Sequence, residues 1–254
     1  MKRKKPPDMK KSFEALSRLL IEVVRVRDEL KLEGIWWRGQ PETGLLLKPK
    51  IFRDYYSRSE ADLIFNFVQQ APMRYTASKW PTESYNQLLL MQHYGLPTRL
   101  LDWSQGFHIA LYFAVNEDRQ DKPASLWALN PYKLNHVNTT KSGIFRPEEN
   151  EIQEIVNKAF KLPDSHRGDR VIAMSGQEHD LRMLVQWSVF TIHESETEME
   201  KLPSKDEFLR EIVIPAEDRI PLRQALKTMG ILRSRLFPDL QSLAESLIEA
   251  YQTK

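Results

Sequence analysis

QLLLMQHYGLPTRLLDWSQGFHIALYFAV, residues 87–115, is the densest run of residues in this chain that local structure alone does not require. Leu88, Leu89 and Gln92 fall on neighbouring turns of a helix, and Gly95 is placed to take the left-handed conformation that ends one. Pro97 forbids its continuation. Residues 98–101 are short, β-branched and apolar, as a buried strand would be, with Asp102-Trp103-Ser104 at its exposed end. Phe107, Ala110, Leu111 and Ala114 then recur at helical spacing. This puts Ser104 in the entry turn of a second helix, where free backbone N–H groups point. The expected unit is a helix–strand–helix corner, with His93, Arg99, Asp102 and Ser104 delivered into or beside it.

Upstream, residues 12–30 read as a packing helix with Phe13, Leu16, Leu20, Val23 and Val24 on its apolar side. Residues 35–40 read as a strand in which Trp37 and Arg38 face opposite ways, while Gly39 lets a ligand or another backbone approach closely. Ser57 and Glu60 have capping-box spacing ahead of a helix through Leu63, Ile64, Phe67 and Val68. Downstream, residues 124–129, 171–174, 189–193 and 208–214 read as strands and residues 131–134 as a turn. A helix is expected over residues 148–160, with Ile152, Ile155, Val156 and Phe160 buried, and further helices from about Asp218 and about Pro238. The expected fold is α+β: a central mixed or split sheet flanked by helices, with an N-terminal helix and a C-terminal helical pair outside. Residues 1–10 form a basic tail and residues 11–254 a single domain.

With 254 residues, 41% of them hydrophobic, the chain is long enough for one large core. Thirty-seven Lys and Arg against 35 Asp and Glu leave a formal charge of +2, which gives no global basis for nucleic-acid binding, so any basic footprint is local. The chain has no cysteine, which excludes disulfides, thiolate nucleophiles and cysteine-ligated metals and suits a reducing cytoplasm. No apolar run reaches the roughly 18 residues of a membrane span, and the basic N-terminus lacks the apolar region of a signal peptide. The expectation is a cytoplasmic protein without membrane partners. The six histidines show no paired ligand spacing, so no metal site is expected, and no glycine-rich phosphate loop is present.

Trp36-Trp37-Arg38-Gly39-Gln40, the motif QHYGLPTRLLDWS at residues 92–104, and Leu236-Phe237-Pro238-Asp239-Leu240 together resemble the FRG domain, from about Trp36 to about Leu247. Such domains look like bacterial and phage proteins. A second resemblance, to the ADP-ribosyltransferase fold, rests on three motifs in order. They are Trp37-Arg38-Gly39, then Asp102-Trp103-Ser104 followed by residues 110–113, then Glu211-Ile212-Val213-Ile214-Pro215. It implies that an arginine holds the phosphates or ribose of NAD, a serine steadies the site and a glutamate hydrogen-bonds the nicotinamide ribose. The sequence departs from that pattern at Asp102-Trp103-Ser104, which is not Ser-Thr-Ser, and at Leu209, where a second acidic or amide residue is expected.

These readings nominate Glu211, Ser104, His93 and Asp102 as catalytic residues, and Arg38, Gly39, Gln40, Arg99 and Trp103 as cofactor-binding residues. His93 and Asp102 would form an acid–base pair if the corner folds back on itself. The alternatives are structural: an Arg99–Asp102 ion pair, His93 as a helix cap, and Glu211 paired with Arg210 or Arg219. The functional expectation is an NAD-consuming effector of toxin or phage-defence type, its acceptor, protein or nucleic acid, left open. The competing expectations are a module for an anionic ligand such as RNA, and a partner-binding structural domain.

Overall fold

The computed structural model describes residues 8–31, 34–53, 60–76, 79–116, 121–139, 141–161, 168–176 and 181–252. The basic tail at residues 1–7, Ser57, His166 and Glu178-His179-Asp180 lie outside these.

Six strands form one sheet: β1 (Trp36–Gln40), β2 (Leu100–Ser104), β3 (Ala124–Leu129), β4 (Val171–Ser175), β5 (Ser188–His193) and β6 (Leu209–Ile214). Their order is β4-β5-β2-β1-β3-β6. Every pairing is antiparallel, so the sheet is not mixed. β3 runs in register along the whole of β1, whereas β2 meets β1 at a single pair, Trp37 with Ser104. The sheet therefore opens between β1 and β2.

The helices α1 (Met9–Leu30), α4 (Phe107–Val115) and α8 (Ala216–Thr228) bury Leu19, Val23, Ile109, Leu111 and Leu222 against Trp37, Leu126, Ala128 and Ile212. On the same face but beyond the opening, α2 (Glu60–Gln70), α3 (Ser84–His93) and α6 (Asn150–Ala159) cover Leu100, Ile172, Phe190 and Ile192. The opposite face packs Trp36, Trp103, Trp127 and Leu129 under Leu47, Met199, Leu202 and Phe208. Arg38 shares that second face, since it stands opposite Trp127 in register and one residue from Trp37.

Two local expectations are corrected. α1 buries Ala15, Leu19, Val23, Val26 and Leu30, while Phe13 is 71% and Val24 53% exposed and Leu20 also faces out. Two apolar stripes compete on this helix, and the one holding the small Ala15 packs against the core. Residues 131–134 are not a turn but the start of α5 (Pro131–Asn138): Asn130 caps it by accepting from Lys133 N, and Pro131 takes the first turn, where no N–H is needed.

Gly39 fixes how closely β1 lies on α4. A Cβ there would stand 1.9 Å from the Ala110 carbonyl oxygen and 2.6 Å from the Ala114 nitrogen, both backbone atoms unable to step aside. Of the two roles open to this glycine, approach of another backbone is the one it fills. Gly39→Ala is expected to destabilise the fold by about 3 kcal/mol or more, read as a fall in the urea midpoint. Gly34→Ala, which meets nothing within 4 Å, is the neutral comparison.

Candidate functional site

The opening between β1 and β2 holds a cavity of about 470 Å³, within the range of small-molecule sites. β1 contributes Arg38, Gly39 and Gln40, β2 contributes Asp102, Trp103 and Ser104, and α4 contributes Ile109, Ala110 and Phe113. Gln92 reaches in from the end of α3 and Arg53 from the loop after β1. Arg182 and Gln186 come from α7 (Leu181–Val185) and the turn behind it.

Arg38 is the chemically unusual member. Its Nη1 donates to the Asp102 carbonyl oxygen at 2.6 Å, and the Asp102 carboxylate lies 4.0 Å away. Its Nε is buried with no hydrogen-bond partner among the described residues. Burial pulls its pKa down to about 10, opposed by the charge of Asp102 and reinforced by that of Arg53.

Asp102 itself is held rather than free. Its Oδ2 accepts from Gln92 Nε2 at 2.7 Å, and Gln92 Oε1 accepts from the buried Thr98 hydroxyl at 2.5 Å. Gly95 with φ of 79° closes α3 just after Gln92 and returns the chain to Thr98, so the helix stop is what puts Gln92 over Asp102. Half of the Asp102 side chain, 53%, remains exposed.

The cavity wall behind Arg38 is a buried polar chain. Trp103 Nε1 donates to Thr191 Oγ1 at 3.2 Å, and Thr191 Oγ1 lies 2.9 Å from His193 Nε2. An indole only donates, so Thr191 Oγ1 accepts from Trp103, while the direction of its bond to His193 Nε2 is set by the imidazole tautomer. Burial, with the nearby charges of Arg38 and Arg99, pushes the His193 pKa down to about 3. In the unfolded chain the ring takes a proton near its ordinary pKa of 6.5. Stability contributed by the neutral ring is therefore present above that value and lost as pH falls towards 3. Between pH 7.5 and 5 the wild type is expected to lose about 2 kcal/mol more than His193→Gln, measured by urea denaturation above the range where carboxylates titrate.

Gln40 is buried, accepting from Trp127 Nε1 at 2.8 Å and donating to the Leu46 carbonyl at 3.4 Å. Ser104 Oγ donates to the Gln186 carbonyl at 2.8 Å and accepts from the N–H of Gly106, the residue that caps α4, at 3.1 Å. It does stand at the helix entry, and as the last residue of β2.

Three nominated residues lie elsewhere. His93 ends α3 with its ring edge-on to Tyr94 at 4.9 Å, and its neighbour Gln92 takes the position over Asp102. Arg99 is buried and forks onto Glu60, Nε to Oε1 at 2.9 Å and Nη2 to Oε2 at 2.5 Å, with Nη1 donating to the Ile155 carbonyl at 3.1 Å. The anticipated ion pair exists, but with Glu60 and not with Asp102. Arg99 lies in the bend just before β2, and its side chain runs to α2 and α6 rather than along the strand to Asp102. Glu211 shares a sheet face with Arg38, but Trp127 stands between them: Arg38 pairs with Trp127, and Trp127 with Glu211. From the edge strand β6 its carboxylate accepts from Ser125 Oγ of β3, outside the cavity. Arg210 pairs with Glu29 at 2.8 Å, and Arg219 is buried among the carbonyls of Pro41, Lys122 and Ala114.

Gln92, Arg53, Arg182 and Gln186 line the cavity without having been nominated from sequence. Gln92 had a signal, since it opens the QHYGLPTRLLDWS motif, but it had counted only as a helix-face residue. Arg182 and Gln186 sit in a polar insert between two strands, where nothing local marks them. Among the described residues no group of three or more His, Cys, Asp or Glu is placed to hold a metal ion. Among the same residues no helix is long and apolar enough to cross a membrane.

Comparison with curated proteins and with solved structures gives no match. Comparison with family models gives a match over residues 33–123. That segment includes β1, α2, α3, β2 and α4, and with them Arg38, Gly39, Gln40, Asp102, Trp103 and Ser104; it stops short of Glu211 and of the Leu236–Leu240 motif. The two strands whose separation forms the cavity thus belong to the matched segment, and the family that residues 33–123 match is the FRG domain.

Proposed function

We propose that the cavity between β1 and β2 binds a phosphorylated nucleotide, NAD among them, with Arg38 as the anion anchor. The observation that carries this reading is the state of Arg38: a desolvated guanidinium with an unpartnered Nε, in a cavity of small-molecule size. A buried donor without an acceptor destabilises the protein by about 1–3 kcal/mol, more when charged, and a phosphate oxygen removes that penalty. The planar fork of arginine suits phosphate geometry. Ile109 and Phe113 offer apolar surface for a ring, while Gln92 and Asp102 offer polar contacts.

A second reading, NAD cleavage by ADP-ribosyltransferase-like chemistry in an effector of toxin or phage-defence type, is favoured by Asp102. Departure of nicotinamide leaves an oxocarbenium-like sugar, which a fixed carboxylate stabilises. Asp102 is a carboxylate in the cavity, oriented by Gln92 and half exposed. On this reading Asp102, and not Glu211, faces the ribose. Nicotinamide release from NAD by the wild type, Asp102→Asn and Glu211→Gln separates the cases. Release lost in Asp102→Asn and kept in Glu211→Gln supports cleavage in this cavity; the reverse places the chemistry elsewhere. Binding without release by any of the three leaves a nucleotide-binding module.

A further inference from the structure

We propose that Arg182, held in place by Phe237, is the second anion contact of this cavity and makes it select ligands with two phosphate groups over ligands with one. This rests on the nucleotide-binding reading above and deepens it.

Arg182 lines the cavity from α7, an element separate from those that supply Arg38 and Arg53. Its guanidinium carbon lies 4.6 Å from the centroid of the Phe237 ring. Stacking occupies the face of the guanidinium and leaves its N–H donors at the edge. The Arg182 side chain makes no hydrogen bond or ion pair among the described residues, so those donors are uncommitted within them.

The ring beneath it is itself fixed. Arg233 stacks on Phe237 at 5.0 Å, and Phe113, which lines the cavity, meets it edge-on at 6.0 Å. Gln186 ties the same wall together: its Nε2 donates to the Leu236 carbonyl at 2.8 Å, while its own carbonyl accepts from Ser104 Oγ at 2.8 Å. Leu236-Phe237, part of the C-terminal motif and packed in the core beside α4, also fastens the wall that carries Arg182. Across the lining, Arg38 and Arg182 face one carboxylate, Asp102. That excess of positive charge, drawn from separate elements, suits a ligand whose negative charge is spread over two phosphoryl groups.

ADP and AMP are the probes, titrated by calorimetry into the full chain. The wild type should prefer ADP by about tenfold or more, a difference of about 1.4 kcal/mol. Arg182→Gln should weaken ADP more than AMP and bring that preference to within about threefold. Phe237→Leu, a positioning change, should lower the ADP to AMP ratio in the same direction, and Arg182→Lys should recover it only in part. Melting temperatures confirm that each variant is folded. Arg38-dependent binding of both nucleotides with the same ratio in Arg182→Gln as in wild type overturns this proposal and leaves the site standing. Absence of Arg38-dependent binding of either nucleotide overturns both.

Discussion

Glu60→Ala is expected to destabilise the protein by about 3–5 kcal/mol, because it leaves the Arg99 guanidinium buried without its counter-charge. The Arg99 fork uses both carboxylate oxygens of Glu60, and its remaining hydrogen bond, to the Ile155 carbonyl, does not neutralise it. Arg99→Ala is expected to cost a similar amount by stranding Glu60. Replacing both partners together, Glu60→Leu with Arg99→Met, should recover most of the loss, since a well-packed apolar pair is often as stable as the ion pair it replaces. Urea denaturation of the two single variants and the double variant checks all three. The result matters for the site because this pair joins the first residue of α2 to the residue before β2, and so fixes the strand that carries Asp102 and Ser104.

Arg38→Ala is expected to lower nucleotide affinity by about 2–4 kcal/mol, or roughly 30- to 1,000-fold. The fold should survive, because the one intramolecular hydrogen bond lost is to the Asp102 carbonyl, worth about 1 kcal/mol, while a desolvated charge is removed with it. Arg38→Lys keeps the charge but not the fork and should fall between the two. Glu211→Gln should leave binding unchanged, since its carboxylate lies outside the cavity and bonds to Ser125.

What the sequence discloses here is set by how local each signal is. Gly95, the alternation of Trp37 and Arg38, and the Phe107-to-Ala114 spacing are written within a few residues of one another, and the structure follows them. The face of α1 is written twice, once through Phe13, Leu20 and Val24 and once through Ala15, Leu19 and Val23. Only packing decides between them. Arg99 and Asp102 are three residues apart and invite pairing, yet Arg99's partner, Glu60, lies 39 residues away on another helix. Glu211 stands in the strand expected of it, but its distance from Arg38 depends on β3 lying between β1 and β6, a fact of sheet order that no motif spacing carries. Arg182 enters the site through the stacking of Phe237 on a short helix, a contact between distant segments without a local pattern.

The most direct test of the site is calorimetric titration of ADP-ribose, which binds as a phosphorylated nucleotide without a nicotinamide to lose, into the wild type and into Arg38→Ala of matched melting temperature. Saturable binding by the wild type, reduced at least about 30-fold in Arg38→Ala, is the predicted result. Equal binding by both proteins, or none by the wild type, would contradict an anion site anchored on Arg38.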